Sequence, residues 1–233
     1  MKTIGLIGGM SWESTARYYS AINKATQSQL GGLHSAKICL YSVDFAPIAQ
    51  WQREDNWSAM AETLKTAAKA VEAGGADMLL ICANTMHKIA DEVQQAVNIP
   101  LVHIVDATAE QLLADGVTKI GLLGTRFTMQ LGFYKDRLSQ VHGIDTVVPN
   151  EAQQTLVHDI IYQELCLGQV KDTSRQTYLD VMQDLKANGA QAIILGCTEI
   201  AMLISPEDTD MPLYDTTQLH GEMAVRLALA NES

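Results

Sequence analysis

Short apolar runs alternate along the chain with longer segments in which apolar residues recur at helical spacing. The apolar runs predict buried strands at 3–7, 78–82, 119–123 and 192–195, with weaker strands at 36–43, at 146–148, after Pro100 and near 213–214. The helical spacing predicts helices at about 11–29, 55–72, 85–97, 127–141, 151–167, 174–186 and 218–229. Strands that alternate with helices indicate parallel sheets joined by right-handed crossovers.

The chain also contains an internal repeat. TIGLIGG at 3–9 matches KIGLLGT at 119–125, and GADMLLICANT at 75–85 matches GAQAIILGCTE at 189–199, with a weaker match between 100–106 and 212–215. Two copies about 115 residues apart are too few and too long for a solenoid, so they indicate two related domains. We predict an α/β fold in two pseudo-symmetric domains, each a parallel sheet flanked by helices. The first comprises 1–100 plus 212–233, and the second 101–211.

Composition and charge narrow the functional classes. A net charge of −11 argues against nucleic acid as a partner, because phosphate binding needs a basic patch. No apolar run approaches the roughly 20 residues that span a bilayer, and we find no signal peptide. The four cysteines lack CxxC spacing, which gives no sign of a zinc site or a disulfide framework. We therefore expect a cytoplasmic protein with reduced thiols and no membrane partner.

Three predicted strand ends carry candidate chemistry, because ligands of open parallel sheets bind beyond the carboxyl ends of the strands. The first is Gly8-Gly9-Met10-Ser11, where a following helix offers free N–H groups to an anion. A simple tight turn explains it at least as well. The second is Ala83-Asn84-Thr85-Met86-His87, and the third is Gly196-Cys197-Thr198-Glu199.

Cys197 is the main candidate for chemistry. A thiol at a helix N-terminus is biased toward thiolate, although a buried structural thiol is the commoner fate of a free cysteine. Asn84, Thr85 and Thr198 can cap helices, bind a carboxylate, or do both. Glu199 is either an acid/base or a charge that complements the helix dipole.

The remaining candidates have simpler interpretations. Cys82 should point away from any site that residue 83 faces, because side chains alternate along a strand, and Cys39 is interpreted as core. We favour a helix-surface position for His87 and a packed, hydrogen-bonded environment for His103. In the repeat, Ala83 falls opposite Cys197 and offers no side-chain chemistry.

The segments GLIGGMSWEST near the start, ANTMHK at 83–88 and GCTEI at 196–200 together resemble the aspartate/glutamate racemase family, whose members racemise without pyridoxal phosphate. The resemblance spans the chain. It implies an active site in the cleft between two pseudo-symmetric domains, a homodimer, and no metal or organic cofactor. It also implies a two-base mechanism, in which one residue removes the α-proton from one face and its mirror partner delivers a proton to the other.

Carried over to this chain, the resemblance makes Cys197 the acid/base of the second domain. Asn84, Thr85 and Thr198 would bind the carboxylate and the amino group of the substrate. Met10 and Gln52 would line the cleft, and Glu199 is placed with these substrate-binding residues. Position 83 would carry the other acid/base, usually Cys or in some relatives Thr, and Ala83 cannot transfer a proton.

Two further positions depart from the family pattern. Aspartate-specific relatives present an Arg after the second strand and a Lys before a Gly in the second domain. In our alignment those places hold Ile48 and Leu167. Recognition of a distal carboxylate would then need another cation, for which Arg53 is a candidate.

Ala83 leaves several functions open. The chain could be an engineered inactive variant, a natural member in which another group or water serves the second face, or a protein that has lost racemisation. Arylmalonate decarboxylases resemble this pattern, because they keep only the second-domain Cys and protonate a planar enediolate. A non-catalytic binder of amino acids or dicarboxylates is a third class. We favour an acidic-amino-acid racemase that is impaired at position 83.

Overall fold

The computed structural model describes residues 1–230 of the 233-residue chain. Within those residues all strand pairings are parallel. The strands are β1 Ile4–Gly8, β2 Ile38–Ser42, β3 Met78–Ile81, β4 Lys119–Gly124, β5 Asp145–Val147, β6 Ala192–Gly196 and β7 Leu213–Asp215.

The helices fill the segments between the strands. They are α1 Trp12–Leu30, α2 Phe45–Arg53, α3 Trp57–Ala73, α4 Ala90–Gln94, α5 Ile104–Ala114, α6 Arg126–Gln130, α7 Gly132–His142, α8 Glu151–Gln163, α9 Asp172–Ala187, α10 Ile200–Leu203 and α11 Thr216–Leu229. Thr85–Ile89 and Leu165–Leu167 are 3-10 helices. No helix among the described residues is both long enough and apolar enough to span a bilayer.

The chain divides into two compact units, and the first is discontinuous. The first unit comprises Met1–Ile104 and the C-terminal segment that begins at Thr217, while the second is Val105–Thr216. These limits differ by a few residues from the predicted boundaries at 100/101 and 211/212. The first unit extends beyond residue 100 because Leu101 pairs with Leu79 of β3. The second unit extends beyond residue 211 because β7 pairs with β6.

The first unit is built on the sheet β2-β1-β3. Successive residues of β1 enter two different cores: Ile7 packs with α3, and Leu6 packs with residues of α1 and α11. Both faces of the strand are therefore covered, which is why its sequence is a continuous apolar run. Gly5 lets α3 approach closely, since a Cβ there would lie 2.4 Å from a methyl carbon of Val71.

The second unit repeats this strand order and adds one strand, in the sheet β5-β4-β6-β7. Its central strand β4 is buried, and the side chains of α8 and α9 pack with Leu123. Gly121 corresponds to Gly5 in the repeat, and a Cβ there would crowd Ile193 and Leu185 at 2.6 and 3.1 Å. The glycine pair predicted by the repeat thus has the same packing reason in both units.

Several predicted elements differ from the observed ones. The predicted strand after Pro100 is only an isolated bridge between Leu79 and Leu101, because helix α5 begins three residues later at Ile104. Helices α2 and α5 were not predicted. The helix predicted over 85–97 is a 3-10 helix followed by the short α4. Ser11 caps α1, since its side chain accepts a hydrogen bond from the Ser14 N–H.

Candidate active site

Cys197 directly follows β6 at the carboxyl end of the second sheet. Its thiol donates a hydrogen bond to Oε2 of Glu199 at 2.8 Å, and the Thr198 hydroxyl donates to the same oxygen at 2.8 Å. Thr198 and Glu199 are buried, whereas Cys197 keeps part of its surface exposed. The three residues therefore form one hydrogen-bonded group around a single carboxylate, which we call the thiol–carboxylate group.

The electrostatics of this group correct the expectation of a thiolate. Burial, and next the charge of Glu199, raise the pKa of Cys197 well above its usual range. The helix that follows, α10, has only four residues, so its dipole is small compared with a carboxylate at hydrogen-bond distance. The resting species is a protonated thiol that donates to Glu199.

The neighbouring strand end contributes groups that the sequence analysis missed. Gly124 of β4 pairs with Gly196 of β6. Thr125 and Cys197 are the next residues after this pair, so the two follow neighbouring strand ends. Thr125 caps α6 by accepting from the Thr128 N–H, and both threonines are buried. The repeat itself carried this signal, because Thr125 matches Gly9 in the first copy.

The end of β3 in the first unit carries Ala83, Asn84 and Thr85. Ala83 is half-buried, and Asn84 and Thr85 are 5% and 7% exposed. The Asn84 side chain does not cap the 3-10 helix that follows, and the backbone carbonyl of Asn84 accepts from the backbone N–H of His87 at 3.0 Å. Capping therefore does not explain an asparagine at this place.

Met10 and Gln52 lie in the first unit as well, on the loop after β1 and on α2. Met10 is buried in the core of this unit. Gln52 is 5% exposed, and its amide donates to the sulfur of Met86 at 3.6 Å. Gln52 therefore contacts Met86, the residue after Thr85.

His87 contradicts the prediction of a helix-surface position, because it is only 3% exposed. Its Nδ1 lies 2.8 Å from the Ala83 carbonyl oxygen. Cys82 is fully buried as predicted, and burial raises the pKa of its thiol. His103 is buried and packs edge-on against His87, with ring centroids 4.6 Å apart.

Comparison with known proteins adds to this geometry. The family model described as Asp/Glu/Hydantoin racemase matches residues 7–224, which include both strand ends. The chain belongs to this racemase family.

Individual relatives agree with that assignment. A provisionally named Asp/Glu racemase from Yersinia pestis is 51% identical, with a TM-score of 0.92 over 98% of this chain and 100% of that one. An aspartate racemase homologue from Pyrococcus horikoshii OT3 is 34% identical, with a TM-score of 0.85 over 98% and 99% of the two chains. The broad specificity amino-acid racemase RacX of Bacillus subtilis is 22% identical over 231 residues, covering 99% of this chain and all of the relative.

The two departures from the pattern of aspartate-specific racemases are visible in the structure. Ile48 is fully buried in the core of the first unit, and Leu167 is 66% exposed. Both side chains are apolar, so neither position offers a cation. Arg53, the candidate replacement, is exposed on the last turn of α2. Within residues 1–230, no three His, Cys, Asp or Glu side chains are grouped so that they could hold a metal ion.

Proposed function

We propose that this chain transfers the α-proton of an acidic amino acid, glutamate or aspartate, without a cofactor, and that Cys197 is its acid/base. The observation that carries the proposal is the hydrogen bond from the Cys197 thiol to Glu199 at the end of β6. A thiol paired with a carboxylate can release its proton when a thiolate is needed and recover it afterwards.

The proton transfers in this proposal balance within the thiol–carboxylate group. The thiol proton passes from Sγ to Oε2 of Glu199, and the thiolate then takes the α-proton, which leaves a carbanion conjugated with the substrate carboxylate. In the reverse direction the thiol returns a proton to the α-carbon and Glu199 reprotonates the thiolate. Because Cys197 is a protonated thiol in the resting state, it can donate a proton to the substrate carbanion.

The other binding groups would hold the substrate and stabilise its developing charge. Asn84 and Thr85 would bind the α-carboxylate together with backbone N–H groups, and Thr198 would contribute through its hydroxyl oxygen. Thr198 donates its hydroxyl proton to Glu199, and a hydroxyl oxygen can also accept a hydrogen bond, here from the substrate ammonium. Met10 and Gln52 would contact the substrate side chain.

Ala83 divides the reaction into an intact half and an impaired half. A methyl group cannot deliver a proton, so a carbanion formed at Cys197 would be reprotonated by Cys197 on the same face. The expected activity is therefore exchange of the α-proton of one enantiomer with solvent, with little inversion. Ala83→Thr or Ala83→Cys should increase inversion by about 100-fold or more, the usual effect of a general acid/base.

Proton NMR of L- and D-glutamate and of L- and D-aspartate in D2O tests the proposal, followed by chiral analysis of the same samples. We expect loss of the α-proton signal from one enantiomer, loss of this activity in Cys197→Ala, and its retention in Cys39→Ala, a thiol control in the other unit. Undiminished exchange in Cys197→Ala would refute the role of Cys197.

Parallel decarboxylation and binding assays test the other functions that a single thiol allows. Release of CO2 from an arylmalonate, without exchange of any amino acid, would favour the decarboxylase alternative. Binding of glutamate or aspartate with neither exchange nor decarboxylation would favour a non-catalytic binder. Either result would overturn the proposed racemase chemistry.

A further inference from the structure

His87 connects residue 83 to another part of the first unit through both of its ring nitrogens. Nδ1 lies 2.8 Å from the Ala83 carbonyl oxygen, and the Ile104 N–H donates to Nε2 at 3.2 Å. The backbone N–H of His87 also donates to the backbone carbonyl of Asn84 at 3.0 Å. The turn that follows β3 is thus closed by one backbone bond and one side-chain bond.

The partners of the His87 ring determine which nitrogen carries the proton. A backbone N–H can only donate, so Nε2 must be the unprotonated acceptor toward Ile104. A carbonyl oxygen can only accept, so Nδ1 must donate to Ala83. The geometry therefore specifies the neutral ring with its proton on Nδ1.

His87 belongs to a buried histidine cluster in which His220 has the opposite tautomer. The His220 ring centroid is 5.7 Å from that of His87. Its Nε2 donates to the Val102 carbonyl at 2.8 Å, and its Nδ1 accepts from the Tyr18 hydroxyl at 2.8 Å. Both histidines are buried and both donate to a backbone carbonyl, but the His220 bonds do not involve residue 83.

We propose that His87 is a positioning residue for position 83. Its bond fixes the carbonyl of residue 83, and the plane of that peptide fixes in turn the N–H of Asn84. Because β3 holds the chain before residue 83, a fixed carbonyl also limits ψ at residue 83 and with it the direction of the side chain. The inference rests on the proposed function and deepens it, because these are the groups assigned to the first-unit face of the substrate.

The test uses the Ala83→Thr protein, in which position 83 carries an acid/base. Asn places its amide nitrogen near Nδ1, so His87→Asn can keep the bond to residue 83. Gln places its amide near Nε2, so His87→Gln can keep only the contact with Ile104. His220→Asn is the control, because it disturbs the same cluster without touching residue 83.

The decisive readout is the ratio of inversion to α-proton exchange, because both reactions need the substrate bound at Asn84 and Thr85, whereas only inversion also needs a proton from residue 83. We expect His87→Gln to lower this ratio by about 10-fold or more, as misplacement of one reacting group predicts. His87→Asn should recover most of the loss, and His220→Asn should leave the ratio unchanged. Equal ratios in all three variants, or the same fall in His220→Asn, would overturn the proposal.

A second measurement is independent of turnover and of the folding of any variant. Long-range 1H–15N NMR of the unsubstituted protein with labelled histidine reports the tautomer of each ring. A proton on Nδ1 of His87 supports the bond to residue 83, and a proton on Nε2 excludes it. If Ala83→Thr showed neither exchange nor inversion, the proposed function would fail, whereas this measurement would still decide the bond.

Discussion

The pair formed by Cys197 and Glu199 gives the second-unit strand end its chemical character. A carboxylate normally raises the pKa of a thiol that donates to it, because the thiolate would lie next to a like charge. Burial also raises the pKa of Cys197 and is the larger of the two causes. The Cys197 thiol is therefore protonated at neutral pH, as a residue that delivers a proton must be.

Glu199→Gln should make Cys197 more acidic. The substitution removes the negative charge beside the thiol, so the pKa of Cys197 should fall. Alkylation by iodoacetamide, followed by peptide mass spectrometry from pH 6 to pH 10, should then begin at lower pH.

Cys39 provides an internal reference in the same samples, because it lies in the other unit. Its alkylation profile should be the same in both proteins. A Cys197 profile that Glu199→Gln left in place, or moved to higher pH, would show that Glu199 does not hold the thiol proton.

Residue-level sequence patterns located the strand ends but not the environments of their side chains. Cys197 was found because it follows an apolar run within a repeat, yet the expected thiolate is disfavoured by burial and then by the charge of Glu199, two residues later. His87 was placed on the surface because one turn of sequence does not show that Ile104 packs over it. Such contacts join distant segments, and spacing does not encode them.

At the scale of elements, the apolar runs were a reliable guide. Each of the buried strands β1, β3, β4 and β6 has four to six residues, nearly all apolar or glycine. The missed helices have weaker signals. Helix α2 contains Pro47, which is tolerated in the first turn of a helix. Helix α5 begins with the β-branched residues Ile104 and Val105, which resemble a strand.

The loop after β1 depends on one glycine. Gly9 has φ +96°, and a Cβ there would lie 2.2 Å from the Val43 carbonyl oxygen. Gly9→Ala should therefore destabilise the first unit by about 3 kcal/mol or more, from backbone strain and overpacking together. Chemical denaturation followed by tryptophan fluorescence measures the loss.

Gly75 is the matched control for this substitution. It lies in the same unit with φ +87°, but a Cβ there would meet nothing within 4 Å. Gly75→Ala should cost only the backbone strain, about 1–2 kcal/mol. Equal losses in the two variants would show that the approach of Val43 does not matter.

At the scale of the whole molecule, the repeat predicted two related units, and these share the strand orders β2-β1-β3 and β5-β4-β6. The limits of the units were harder to predict, because they depend on which sheet a short segment joins. β7 has three residues and joins the second sheet through Leu213, whereas the helix directly after it belongs mostly to the first unit. Dimer formation and cytoplasmic location, expected from the resemblance and the composition, stay predictions.

Removal of α11 should unfold the first unit selectively. Ala224, Val225 and Ala228 are buried against Leu6 and Ile22, and His220 bonds to Tyr18. A chain that ends at Asp215 should lose at least about 3 kcal/mol in the first unit, comparable to one large-to-small core substitution. Hydrogen exchange should show lost protection in β1–β3 and retained protection in β4 and β6. Uniform loss throughout residues 1–215 would contradict independent stability of the second unit.

The discontinuous first unit has a consequence for synthesis on the ribosome. Domains usually fold in the order in which they emerge, but here the N-terminal segment must wait for the helix near the end of the chain. The second unit is contiguous, Val105–Thr216, and can fold first. At about 5–20 residues per second, the nascent N-terminal strands remain without α11 for on the order of 10 s. During that interval the apolar face that includes Leu6 and Ile22 is open to chaperones and to aggregation.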